Sequence, residues 1–122
     1  MNKKTPMQER PSTVKRKQDL LKQICGFVDE NLDKNITLQI LANQFGVSVS
    51  TVTQLFQRRA DTTFHRFVTQ RRMAEAERLI ARNMPLEEVG KRIGYTDHSS
   101  FYRAFKQSYG VSPREYKLQK KV

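Results

Sequence analysis

Residues 94–116 read GYTDHSSFYRAFKQSYGVSPREY. A glycine follows a short apolar segment, and Asp97 then opens a helix. Phe101, Ala104 and Phe105 recur at spacings of three and four, which puts them on one helical face. His98, Ser99, Tyr102, Arg103 and Lys106 fall on the other face. Gly110 ends that helix, and Ser112-Pro113-Arg114-Glu115 starts the next as a capping box with proline at the first helical position. The pattern predicts a helix pair with a tight turn whose second helix shows solvent a polar and basic face. Such a face has no use inside a core and suits the edge of a nucleic-acid groove.

The flanking chain repeats this arrangement. Upstream of Gly94, Leu86, Val89 and Ile93 mark a short amphipathic helix behind Asn83 and Pro85. A shift of 49 residues lays Ser50 on Ser99, Val52 on Phe101, Phe56 on Phe105, Thr63 on Ser112 and Phe67 on Tyr116. Ala42–Gly46 lies on Gly90–Gly94 at a shift of 48, so the second turn is one residue longer. In each copy a small residue allows helix contact, a glycine makes the turn, and an apolar pin sits on the second helix. The first copy opens with Thr37 as N-cap between Ile36 and Leu41, a hydrophobic staple, and Ser48 caps its second helix.

Between the copies, Thr63 caps a longer helix reaching about Arg82. Phe64, Phe67, Val68, Arg72, Ala76, Leu79 and Ile80 trace a mostly apolar path along it. About eighteen residues at 1.5 Å each make a rod of roughly 27–30 Å. Successive major-groove openings on one face of B-DNA are about 34–36 Å apart. Two readers on such a rod suit adjacent groove segments of one duplex, with no dimer and no palindrome required.

The N-terminal end is read as a disordered basic tail over residues 1–13 and a helix from about Val14 to Leu32, whose stripe is Leu20, Leu21, Ile24, Phe27 and Val28. Gly26 falls within this helix and is read as permitting a close helix contact. The boundaries are then 14–62 for the first helix-turn-helix subdomain, 63–82 for the linker helix and 83–122 for the second subdomain. Scarce glycine and proline and few β-branched runs favour an all-α fold.

Lys and Arg number 23 against 12 Asp and Glu, a net charge of +11, and the isoelectric point is 10.2. A chain this basic seeks a polyanion. The single cysteine, Cys25, allows no intrachain disulfide and fits a reducing compartment. There is no run of 18 apolar residues and no apolar signal core. We therefore expect a soluble, cytoplasmic, nucleoid-associated protein. His65 and His98 lack a third partner at ligand spacing, and no glycine-rich phosphate loop or Ser/His/Asp set is present. Neither an enzyme nor a cofactor is expected. The aromatics Phe45, Phe56, Phe64, Phe67, Phe101 and Phe105 lie on apolar faces, which argues for a core and against single-strand stacking platforms.

With these residues in place, the chain resembles the DNA-binding domain of AraC/XylS-type transcriptional regulators over about residues 18–118. The matching stretches are ITLQILANQFGVSVSTVTQLFQRRADTTFHRFVTQRRMAEAERLI and PLEEVGKRIGYTDHSSFYRAFKQSYGVSPREYK. The resemblance implies about seven helices in two helix-turn-helix subdomains on one linker helix, bacterial origin, and binding to double-stranded promoter DNA, usually to activate transcription. It implies base contacts from Ser50, Thr53, Gln54 and Gln57 in the first recognition helix and from His98, Ser99, Tyr102 and Arg103 in the second. Gln can bond an adenine edge in two places, and Arg a guanine edge. Arg58, Lys91, Arg92, Lys106 and Arg114 are read as phosphate contacts, together with the helix-start amides near Thr37, Thr63 and Ser112. Arg71 and Arg72 stay open between DNA and helix ends inside the fold.

The expected partners are promoter DNA, bound by a monomer, and RNA polymerase, with no membrane. Two cases remain open: a complete short regulator, or the DNA-binding end of a longer ligand-sensing protein. Rival readings are a basic adapter that binds mainly protein, and a peripheral membrane protein. The latter requires apolar faces that the core already uses.

Overall fold

In the computed structural model, which describes residues 9–120, the described residues form seven helices and no strand. They are α1 (Pro11–Glu30), α2 (Leu38–Phe45), α3 (Val49–Arg59), α4 (Phe64–Ala81), α5 (Leu86–Arg92), α6 (His98–Tyr109) and α7 (Pro113–Lys120). Local chemistry sets most of these boundaries. Thr37, Ser48, Thr63 and Asp97 each accept a backbone N–H three residues on, from Ile40, Thr51, Arg66 and Ser100. The Ser112–Glu115 capping box is reciprocal: the Ser112 N–H reaches the Glu115 carboxylate at 2.9 Å, and the Glu115 N–H reaches the Ser112 hydroxyl at 3.1 Å.

Two expectations for the N-terminal helix need correction. α1 starts at Pro11, so residues 11–13 of the expected tail are helical. Proline at the first helical position is pre-set for the helix and lacks only an N–H that would have no partner there. Residues 1–8 of that tail lie outside the described residues. Just ahead of the helix, the Glu9 carboxylate pairs with Lys17 on α1 and with Arg59 at the end of α3. These two cations hold the Glu9 carboxyl below its ordinary range, with the Lys17 hydrogen bond as the main cause. Gly26 makes no close helix contact. It is exposed, and a Cβ added there would meet nothing within 4 Å.

The apolar faces bury into two cores. Ile24 and Val28 of α1, Leu41 of α2, and Val52, Leu55 and Phe56 of α3 form the first with Phe67 and Val68 of α4. Met73, Ala76, Leu79 and Ile80 of α4 form the second with Val89 and Ile93 of the α5 segment and Phe101 and Phe105 of α6. The linker helix is therefore an integral wall of both cores. At 3.6 residues per turn, its two sets of buried side chains point about 140° apart around the axis. The subdomains pack on different sides of one 18-residue helix.

The two turns carry out the repeat in detail. Gly46 and Gly94 both have positive φ, 65° and 94°. Ala42 is 3% exposed, and the pin Val52 is fully buried. In the second copy Gly90 is buried under the larger pin Phe101, and a Cβ at Gly90 would lie 3.3 Å from the Phe101 ring. The smaller residue in the first helix thus makes room for the larger one in the second.

Candidate nucleic-acid interface

The outer faces of α3 and α6 are free of carboxylates. α3 carries Arg58 and Arg59 in its last turn, and α6 carries Arg103 and Lys106. Most acids lie on other elements, among them Asp29, Glu30 and Asp33 at the end of α1, Glu75 and Glu77 on α4, and Glu87 and Glu88 at the start of α5, while Glu9 pairs with Arg59 of α3 and Asp97 caps α6. The exposed cations of the two second helices are Arg58 on α3 and Arg103 and Lys106 on α6.

On α3, Ser50, Gln54, Gln57 and Arg58 are exposed and Thr53 is half-buried. Ser50, Thr53, Gln54 and Gln57 follow a three-and-four spacing, so they share a face. Among the described residues, the side-chain hydrogen bond on this face is long: the Gln54 amide donates to the Ser50 hydroxyl at 3.4 Å. Both groups remain available to a base edge.

On α6, His98, Ser99 and Arg103 are exposed, and Tyr102 is half-buried. The Tyr102 ring stands edge-on to Phe101 with centroids 6.0 Å apart, and its centroid lies 4.3 Å from that of the His98 ring. His98 and Tyr102 thus form a tilted aromatic pair, 42° between ring planes, in contact with the core pin. The Asp97 carboxylate takes the Ser100 N–H at 2.7 Å and the Ser100 hydroxyl at 3.0 Å, and these bonds hold its carboxyl below the ordinary range. Among the described residues, Arg103 donates to the Ser100 hydroxyl alone, at 3.4 Å, so little is lost when its guanidinium turns outward.

The basic residues named as phosphate contacts are all exposed, but their surroundings differ. Lys91 lines a depression with Asp97 and His98 at the start of α6. Arg92 lines a different groove, bordered by Asp29, Glu30, Asp33 and Glu75. The structure also separates the two linker arginines. Arg72 turns inward and donates to the Leu32 carbonyl (3.2 Å, from Nε) and the Lys34 carbonyl (2.9 Å, from Nη2). Arg71 pairs with Asp29 at 3.5 Å and covers the Phe67 ring at 4.8 Å.

Sequence reasoning missed a second internal anchor. The Tyr109 and Tyr116 hydroxyls donate to the two oxygens of Glu77, at 2.8 and 2.5 Å. Tyr116 is pushed up to about 12, chiefly by that hydrogen bond, and Tyr109 is raised as well, first by burial and then by Glu77. The available signal was an acid facing a tyrosine-bearing core, which no local pattern connects.

The chain matches a family described as a helix-turn-helix domain over residues 41–119. It is 33% identical over 96 residues to the probable transcriptional regulator LumQ of Photobacterium leiognathi, covering 78% of this chain and 39% of LumQ. It is 30% identical over 95 residues to the transcriptional activator CsvR of Escherichia coli, covering 77% of this chain and 35% of CsvR. The fold superposes on the C-terminal domain of AraT, a response regulator of Geobacillus stearothermophilus, with a TM-score of 0.78 at 24% identity, covering 82% of this chain and 84% of that one. The chain belongs to the AraC family of helix-turn-helix transcriptional regulators and has the fold of its DNA-binding domain. It spans well under half the length of LumQ or CsvR. No helix among the described residues is long and apolar enough to cross a membrane.

Proposed function

We propose that a single copy of this chain binds double-stranded promoter DNA with α3 and α6 in adjacent major-groove segments, and that it activates transcription through a further contact with RNA polymerase. The observation that carries the reading is the duplication: two carboxylate-free reader helices, each pinned to its own core, on one shared 18-residue helix. Activation is supported by likeness to relatives such as CsvR, an activator by name.

In this reading Gln54 and Gln57 take adenine edges, with Ser50 and Thr53 beside them. Arg103 takes a guanine edge, while His98, Ser99 and Tyr102 contact the bases and methyl groups around it. Arg58, Lys91, Lys106 and Arg114 meet phosphate, as do the helix-start amides near Thr37, Thr63 and Ser112. Arg92 meets phosphate from the edge of the groove it shares with Asp29, Glu30, Asp33 and Glu75. Such a protein works at the nucleoid, in the cytoplasm.

The test is a titration of the whole chain against a site selected from random duplexes, at several salt concentrations. Specific binding survives competitor DNA and weakens log-linearly with salt. Arg103→Ala weakens it by about 1–3 kcal/mol and relaxes preference at one base pair. Loss of all binding to competitor at moderate salt contradicts the reading and favours a protein-binding adapter.

A further inference from the structure

The shared helix fixes how far apart the two cores lie along its axis. It does less to fix their rotation about it, because α4 gives the first core only Phe67 and Val68 as buried side chains. A second connection runs beside the helix. Arg72 lies between Val68 and Met73, where α4 passes from one core to the other. Its guanidinium spans the Leu32 and Lys34 carbonyls that follow α1 in the first subdomain, and it stands 5.6 Å from the Tyr95 ring centroid in the second. The turn of the second motif presses on the same point. A Cβ on Gly94 would lie 2.4 Å from the Leu32 carbonyl oxygen and 2.9 Å from Arg72 Nη2, and φ there is 94°. Backbone therefore meets backbone across the two halves, with one arginine stitched through the contact.

We propose that Arg72 and Gly94 are positioning residues that set the angle between the two reader helices, and so fix the half-site spacing the protein accepts. The inference rests on the reading that both readers engage one duplex. A planar guanidinium bridges two carbonyls in a fixed fork, which a lysine ammonium on a flexible stem does not reproduce. Gly94 admits the approach because it has no Cβ and tolerates the left-handed backbone. Two linked readers gain affinity only where their geometry lets both engage at once, so loosening the clasp trades affinity at one spacing for tolerance of others.

The experiment compares the full wild-type chain with Arg72→Ala, Arg72→Lys and Gly94→Ala on the selected site, on that site with one or two base pairs inserted at its centre, and on each half-site alone. Wild type is expected to lose affinity about tenfold or more on insertion. Both Arg72 variants are expected to bind the original site more weakly, to bind half-sites as wild type does, and to differ between spacings by about threefold or less. Gly94→Ala is expected to behave likewise if half-site binding shows it is folded, and the Arg72 pair decides the matter if it is not. Arg72 variants that keep the full wild-type spacing penalty overturn the clasp and leave the two-reader reading intact. A wild type indifferent to removal of either half-site overturns the two-reader reading and the clasp with it.

Discussion

Gly26 sits exposed in the C-terminal part of α1 with open space where its side chain would be. Gly26→Ala is expected to stabilise the protein by about 1 kcal/mol, since the helix gains propensity and loses no contact; chemical denaturation measures this, and a loss of stability contradicts the open site. The Tyr109 and Tyr116 pair makes a prediction at the other end of the pH range. A tyrosine in the unfolded chain ionises near pH 10. Tyr116 is held up to about 12 in the fold by Glu77, and Tyr109 is raised in the same direction. Between these values the native state binds more protons than the unfolded one, so this contribution is complete below about pH 10 and drains away as pH rises through 12. Thermal unfolding followed from pH 9 to 12 is expected to show that decline, and a shallower one in Tyr116→Phe; identical slopes would remove Glu77 as the cause. The sequence did not reveal this anchor, nor the Glu9–Arg59 pair, because partners 32 to 50 residues apart leave no periodic trace. Arg72 did leave one. It is a charged residue on an otherwise apolar helical path, which is how a side chain that bonds interior carbonyls looks in sequence.

The helices themselves were largely legible, because caps and periodicity are local. Thr37, Ser48, Thr63, Asp97 and Ser112 act within three residues, and all five bond as their types predict. The early start of α1 was harder to read, since Arg10 supplies no side-chain cap and Pro11 serves equally well in a tail. The matched motifs allow a test of their packing. Gly90 under Phe101 replaces the pair Ala42 and Val52, so Gly90→Ala is expected to overpack the second motif and cost about 1–3 kcal/mol. Phe101→Ala is expected to cost about 3–5 kcal/mol. Because the two side chains touch, the double variant is expected to be less unstable than the sum of the singles, by about 0.5–3 kcal/mol. Denaturant midpoints measure the cycle, and strict additivity would mean that the two positions do not share volume.

Taken whole, the molecule is two small cores grown on different sides of one helix, with a net charge of +11 spread along the chain and exposed cations on both reader helices. The all-α class, the duplication and the family were readable in the chain because they depend on repeat spacing and turn chemistry. The mutual orientation of the halves was not, because it depends on the Gly94, Leu32 and Arg72 contact between distant segments. With the net charge of +11, DNA affinity is expected to be strongly salt-dependent, with the slope falling by about one unit for each phosphate-contacting lysine or arginine replaced. The most direct measurement is a hydroxyl-radical footprint of the full chain on a duplex recovered by selection from random sequence. Two protected segments on one face, about 10–10.5 base pairs between centres, are predicted for α3 and α6 reading successive turns. Protection of one short segment only, with the neighbouring turn fully cleaved, would contradict it.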